Sequence, residues 1–93
     1  MKFFVLLVLG FACASNPGIL TDKAKGLEVY ASAPAKCNVV GKITGIDQNG
    51  SPELAINHAL NQAAKLDATG IVVNQEIPNG NKRAAHVTAY QCN

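Results

Sequence analysis

Outside its first eleven positions the sequence has few aromatic side chains and no methionine. Tryptophan is absent, and all three phenylalanines and the single methionine lie within those eleven positions. From Ser15 onward the only aromatic side chains are Tyr30 and Tyr90. A chain of 93 residues is long enough for one small domain, which excludes a large enzyme, a multidomain protein and a polytopic membrane protein. The composition also excludes a core built on large aromatic side chains.

Charge of either sign is sparse as well. Eight Lys and Arg oppose six Asp and Glu, a formal net charge of +2. The six carboxylates are scattered along the chain, and no two have a spacing that suggests paired acid and base catalysis. The adjacent Lys82 and Arg83 form a two-residue basic spot that we interpret as a solvated turn, so nucleic-acid binding has little support. No glycine-rich loop has the Lys-Ser/Thr ending that phosphate binding requires.

The first fourteen residues have the order of an export signal. Lys2 supplies a positive charge, positions 3–11 are apolar except for Gly10, and small residues follow at 12–14. The apolar run is far shorter than the ~20 residues that span a bilayer. We therefore predict that residues 1–14 are a secretory or lipoprotein signal.

Two processing routes are open at this signal. In one, signal peptidase cuts after Ala14, with Ala12 and Ala14 as the small pair. In the other, Cys13 becomes the lipid-modified first residue of a bacterial lipoprotein, whose several acyl chains supply stable anchoring. The residues before Cys13 are Gly10, Phe11 and Ala12, and only Ala12 fits the usual lipidation pattern well.

The cysteine count is odd, with Cys13, Cys37 and Cys92. Either processing route removes or blocks Cys13, which leaves the other two as a pair in an oxidising compartment. A disulfide between the two remaining cysteines would close a long loop of the chain and would stabilise the domain by ~4 kcal/mol. A metal site built from this pair with His58 and His86 is disfavoured because none of the spacings is that of a zinc-ligand pair. A redox-active pair is disfavoured because the Cys-x-x-Cys spacing is missing.

The remaining chain predicts a tether followed by one domain. Residues 15–25 are polar and indicate a flexible tether, and residues 26–93 indicate a single α+β domain. Apolar alternation and helical spacing predict the order β-β-α-β-β. The predicted strands cover residues 26–30, 37–45, 70–77 and 84–92, and the predicted helix runs from about 52 to 67.

Local motifs support this order. Ser51 is suited to cap the helix, Pro52 to its first position and Glu53 to its positive end. Asn79-Gly80 predicts a hairpin turn between the last two strands. We therefore expect a two-layer α+β fold, with two hairpins joined by one helix that packs on a four-stranded, largely antiparallel sheet. On the second strand, the period of two places Cys37, Val39, Gly41 and Ile43 on one face.

Three segments in this order resemble a known group of proteins. They are residues 37–45 (CNVVGKITG), 61–68 (NQAAKLDA) and 89–92 (AYQC). They resemble small bacterial envelope lipoproteins of unknown function, a group similar to the RcsF-type outer-membrane stress-sensor lipoproteins. The likeness extends over residues 20–92, although Asp67 and Gln91 stand where that group has Gly and Arg. RcsF-type proteins also have more cysteines and a longer proline-rich tether, so their sensing role is not transferred here.

The resemblance implies a Cys37–Cys92 disulfide, lipidation of Cys13 and a location at the outer membrane or in the periplasm. We therefore expect a non-enzymatic, exported lipoprotein that acts through protein–protein contact in envelope stress signalling or maintenance. No cofactor, metal or nucleic-acid partner is expected.

An alternative function is a soluble secreted or periplasmic binding or inhibitor module. Its candidate binding surface would be the sheet face opposite the helix, around Tyr30, Thr88 and Tyr90. An enzyme would need a pocket that joins His58 or His86 to a carboxylate, and neither has a partner at a suggestive spacing. We interpret both histidines as surface or hydrogen-bonded side chains.

Overall fold

The computed structural model describes residues 18–92, which form one four-stranded sheet with a helix on one face. The α+β class predicted from the sequence is confirmed. A short 3-10 turn at Ala24–Gly26 precedes the first strand. The elements are β1 (Glu28–Tyr30), β2 (Cys37–Asp47), α1 (Pro52–Lys65), β3 (Gly70–Asn79) and β4 (Lys82–Cys92).

The strands lie in the order β1-β3-β4-β2. The predicted hairpin between the last two strands is present, with Gly80 and Asn81 as its loop and Gly80 at φ 64°. The expected first hairpin does not form. β1 pairs parallel to β3, whereas β2 pairs antiparallel to β4 along its whole length. Residues 31–36 contain no dipeptide that favours a two-residue hairpin turn. The eleven residues of β2 also form a longer ladder with β4 than the three-residue β1 could supply.

The helix begins as predicted. The Ser51 Oγ accepts a hydrogen bond from the backbone N–H of Leu54 at 3.2 Å, and Pro52 occupies the first turn. The helix ends at Lys65, two residues earlier than expected. Asp67 has φ 60°, and this left-handed conformation turns the chain toward β3.

Small side chains make the core between helix and sheet. Ala55, Ala59 and Ala63 of α1 are completely buried, and Ile71 and Val87 are the largest fully buried side chains of the described residues. Alanine at these helix positions lets the helix axis approach the sheet closely. The core is therefore thin, as expected for a chain whose described part contains no Phe, Trp or Met.

An irregularity in β2 overturns the predicted face of that strand. The pairing register with β4 shifts between Val39 and Gly41. Cys37 and Val39 consequently lie on one face, whereas Gly41 and Ile43 lie on the other, beside the helix. Val39 is 56% exposed, while a Cβ on Gly41 would lie 3.0 Å from the Leu66 side chain. Strict alternation fails here because one extra residue is inserted into the ladder.

The predicted tether is packed wherever the structure describes it. Residues 18–25, named here the N-terminal strap, run along the helix. Ala24 is buried in the core, and the Lys23 ammonium lies 2.6 Å from an Asp67 carboxylate oxygen. Composition suggested a loose segment because the side chains are polar, but their backbone is held by hydrogen bonds from the helix. The predicted signal and Cys13 lie outside the described residues.

Candidate binding face and disulfide

Cys37 and Cys92 form the predicted disulfide. They are directly opposite each other in the β2–β4 ladder, with their Cα atoms 4.4 Å apart and an S–S bond of 2.03 Å. This Cα separation is that of a closely spaced antiparallel pair, so the strand register itself brings the two thiols together. The bond ties the start of edge strand β2 to the end of the central strand β4.

The register also defines the sheet face opposite the helix, named here the open face. Ala85, Val87 and Ala89 point into the core, so the alternate residues of β4 point to the open face. Thr88 and Tyr90 are therefore on it. Tyr30 joins them, because it pairs with Val72, which pairs in turn with Thr88. The structure thus places all three residues of the candidate binding surface on one face.

Tyr30 is held firmly at one end of this face. A Cβ on Gly70 would lie 2.5 Å from the Tyr30 ring, so the ring lies directly over this glycine. The Tyr30 hydroxyl lies 3.3 Å from the Thr69 hydroxyl and 3.4 Å from the Cys92 Sγ. Its ring therefore secures the short strand β1 to the sheet and leaves only part of the side chain open to solvent.

Thr88 contributes less exposed surface than the sequence suggests. Its side chain is buried at 7% exposure, and its hydroxyl accepts a hydrogen bond of 2.7 Å from the Asn74 amide. Thr88 therefore stabilises the centre of the open face and contributes little to its exposed surface.

The open face also includes exposed apolar residues that sequence reasoning missed. Ile46 and Ile77 flank Ala84 in one row across three strands, and both isoleucines are more than a third exposed. Val39 lies opposite Tyr90 at the other end of the face. Alternation along β2 and β3 indicates which residues of each strand share a face. Because both ladders contain a register shift, alternation does not show which residues of neighbouring strands lie side by side.

His58 of α1 lies at the outer edge of β2, whereas His86 of the central strand β4 lies on the open face, and both are hydrogen-bonded. The His58 Nδ1 accepts from the Ile46 backbone N–H at 2.9 Å, and the Gln62 amide donates to the Thr44 carbonyl at 3.3 Å. The His86 Nδ1 lies 3.0 Å from the Thr44 hydroxyl. Side chains of α1 thereby occupy edge groups that could otherwise pair with another strand.

One ion pair perturbs a carboxyl group. The hydrogen bond and charge of Lys23 lower the pKa of Asp67 from its ordinary value. Both side chains are exposed, so this pair positions the strap on the surface rather than forming a buried site.

Within residues 18–92, no three His, Cys, Asp or Glu side chains gather closely enough to hold a metal ion. No helix in this same part of the chain is long and apolar enough to cross a membrane. No protein-family model matches the chain, and neither a curated protein nor a solved structure matches it significantly.

Proposed function

We propose that this chain is a non-enzymatic protein of the bacterial envelope, exported and anchored by lipid on Cys13. It acts by contact with another envelope protein, in envelope stress signalling or maintenance. The observation that carries the proposal is the Cys37–Cys92 disulfide, in a chain that opens with the order of an export signal. Disulfides persist in oxidising compartments and are rare in the bacterial cytoplasm.

The thin core supports the same conclusion. Alanines line the helix face, and within residues 18–92 the largest fully buried side chains are Ile71 and Val87. Small domains with little buried apolar surface depend on a cross-link. A protein whose stability depends on a disulfide is suited to the compartment in which that disulfide forms.

Action through protein contact is supported by the open face. Val39, Ile46 and Ile77 expose apolar surface there, and α1 covers the opposite face. Exposed apolar residues grouped on one face are typical of interaction surfaces.

The mass of the mature N-terminus tests the anchor. The full chain is expressed in a bacterial host, the envelope is isolated and the mass of the intact protein is measured by mass spectrometry. Diacylglycerol on Cys13 with an acylated amine is the expected result, and Cys13→Ala should abolish it. A free amine at Ser15 would refute the lipoprotein proposal.

Site-specific crosslinking tests the contact. A photo-crosslinking residue at Ile77 should capture one envelope protein reproducibly. The same residue at Leu66, exposed but outside the open face, is the matched control. Equal capture from both positions would contradict a specific role for the open face.

A second candidate function is a soluble secreted or periplasmic binding or inhibitor module. The alignment of Tyr30 and Thr88 in one row, with Tyr90 on the same face, favours it. This candidate replaces the first if the mature chain begins at Ser15 and a target binds the open face. Alanine at Tyr90 should then weaken target binding, while alanine at Lys65, exposed on the helix, should not.

A further inference from the structure

The N-terminal strap is clamped by two asparagines one helical turn apart on α1. The Asn57 amide donates to the Gly18 carbonyl at 3.2 Å, and the Asn61 amide donates to the Ile19 carbonyl at 2.8 Å. The Asn61 Oδ1 also accepts from the Thr21 N–H at 2.9 Å. These bonds set the backbone of the strap on the helix from Gly18 onward.

The strap begins beside the first turn of the helix. A Cβ on Gly18 would lie 3.0 Å from the Leu54 Cβ, so strap and helix are in contact there. Ile19 is 60% exposed and Leu54 is 36% exposed. The two side chains, named here the exit patch, therefore expose apolar surface where the chain leaves the described domain.

The distance from the anchor to this patch is short. Cys13 precedes Gly18 by five positions. Five residues span at most ~18 Å even when fully extended. A lipid on Cys13 would therefore keep Gly18 within ~18 Å of the bilayer surface, because the clamped strap adds no further slack.

We propose that the exit patch docks on the surface of the bilayer that holds the lipid anchor, with Ile19 and Leu54 entering the interfacial region. This inference rests on the proposed lipidation of Cys13. Glu53 is exposed beside Leu54 in the first turn of the helix, and the strap's Lys23 and Lys25 are paired with Asp67 and Asp22. Apolar insertion rather than attraction to anionic lipids consequently drives the docking, and it persists at high salt.

Tryptophan reporters test the docking, because the chain contains no tryptophan. Ile19→Trp is compared with Val39→Trp, a similarly exposed position on the open face. Each lipidated variant is reconstituted in phosphatidylethanolamine and phosphatidylglycerol vesicles with brominated acyl chains. Trp emission at position 19 should fall by about half or more, and emission at 39 should hardly change. Equal quenching at both positions, or none at 19, would overturn the proposal, as would loss of quenching in 1 M NaCl.

A second measurement uses the unsubstituted chain. Gadolinium-labelled lipid should broaden the methyl resonances of Ile19 and Leu54 more strongly than those of Val39, and equal broadening contradicts docking. Mass and vesicle flotation of the same samples separate the two hypotheses. If the lipidated protein floats with the vesicles but shows no selective quenching or broadening, docking of the exit patch is refuted and the lipid anchor is not. A protein that lacks the lipid refutes the anchor, and the inference with it.

Discussion

Gly45 of β2 lies directly against the helix backbone at Ala55. A Cβ on Gly45 would lie 2.1 Å from the Ala55 carbonyl oxygen and 2.7 Å from the Ala59 backbone nitrogen. Real Cβ atoms do not approach backbone atoms so closely, so helix and strand can meet here only because the side chain is absent. This contact sets the spacing between the two layers of the fold.

Gly45→Ala should therefore destabilise the domain by about 3 kcal/mol, because the added methyl must push the helix backbone away. Urea unfolding followed by circular dichroism measures the change. Gly26→Ala is the control, since a Cβ there meets nothing within 4 Å, and its effect should stay within about 0.5 kcal/mol. Similar effects at both glycines would show that the close approach of α1 to β2 does not govern stability.

Breaking the disulfide should cost ~4 kcal/mol, because the bond restricts a long loop in the unfolded chain. Replacing Cys37 and Cys92 by Ser together should lower the free energy of unfolding by about that amount. Dithiothreitol should destabilise the unsubstituted protein and leave the double variant unchanged. In the oxidised mature protein neither thiol should react with iodoacetamide, and alkylation before reduction would contradict the bond.

The strap should loosen when its clamp is removed. Asn61→Ala leaves the Thr21 N–H and the Ile19 carbonyl without their side-chain partners, at a cost of about 2 kcal/mol. Amide hydrogen exchange at Thr21 should accelerate. Asn57→Ala removes only the bond to Gly18 and should cost about 1 kcal/mol. Unchanged exchange at Thr21 in the Asn61 variant would refute the clamp.

Acid should weaken the attachment of the strap at Lys23. The folded-state pKa of Asp67 is lowered, so the stabilisation from this pair is fully present above the unfolded pKa of about 3.9. It is lost as the pH falls through the lowered folded pKa. Carboxyl NMR should show Asp67 titrating below its ordinary range, and Lys23→Met should restore ordinary titration.

Asp67→Asn is the matching variant for stability, because asparagine tolerates the left-handed backbone at φ 60° while lacking the charge. It should remove the part of the pH dependence that arises from this pair, and 1 M NaCl should reduce the same part in the unsubstituted protein. An Asp67 titration that does not respond to Lys23→Met would contradict the ion pair.

Local chemistry was sufficient to predict several elements. Ser51 and Pro52 mark the helix start, and Gly80 marks the last hairpin, because caps and tight turns depend on residues close together in sequence. The partner of β1 was not predictable in the same way. The three residues of β1 could form backbone hydrogen bonds with either β3 or β2. Residues 31–36 contain no turn motif that favours one of these two partners.

The candidate site was likewise predictable only in part. Alternation predicts that Tyr30, Thr88 and Tyr90 share one face, and the strand registers place them there. The hydrogen bond from the Asn74 amide to Thr88, and the placement of Ile77 on the open face, depend on a register shift between Val73 and Gln75 that alternation alone does not reveal.

The sequence by itself determined the α+β class, the helix with its cap, the final hairpin and the pairing of the only two cysteines beyond the predicted signal. Each follows from neighbouring residues or from simple counting. Only the tertiary structure decided that β1 joins β3, that β2 changes face after Val39 and that the strap is clamped to the helix. These features depend on which distant backbone and side-chain groups form hydrogen bonds with one another, and hydrogen bonds between groups forty residues apart leave no pattern in either segment alone.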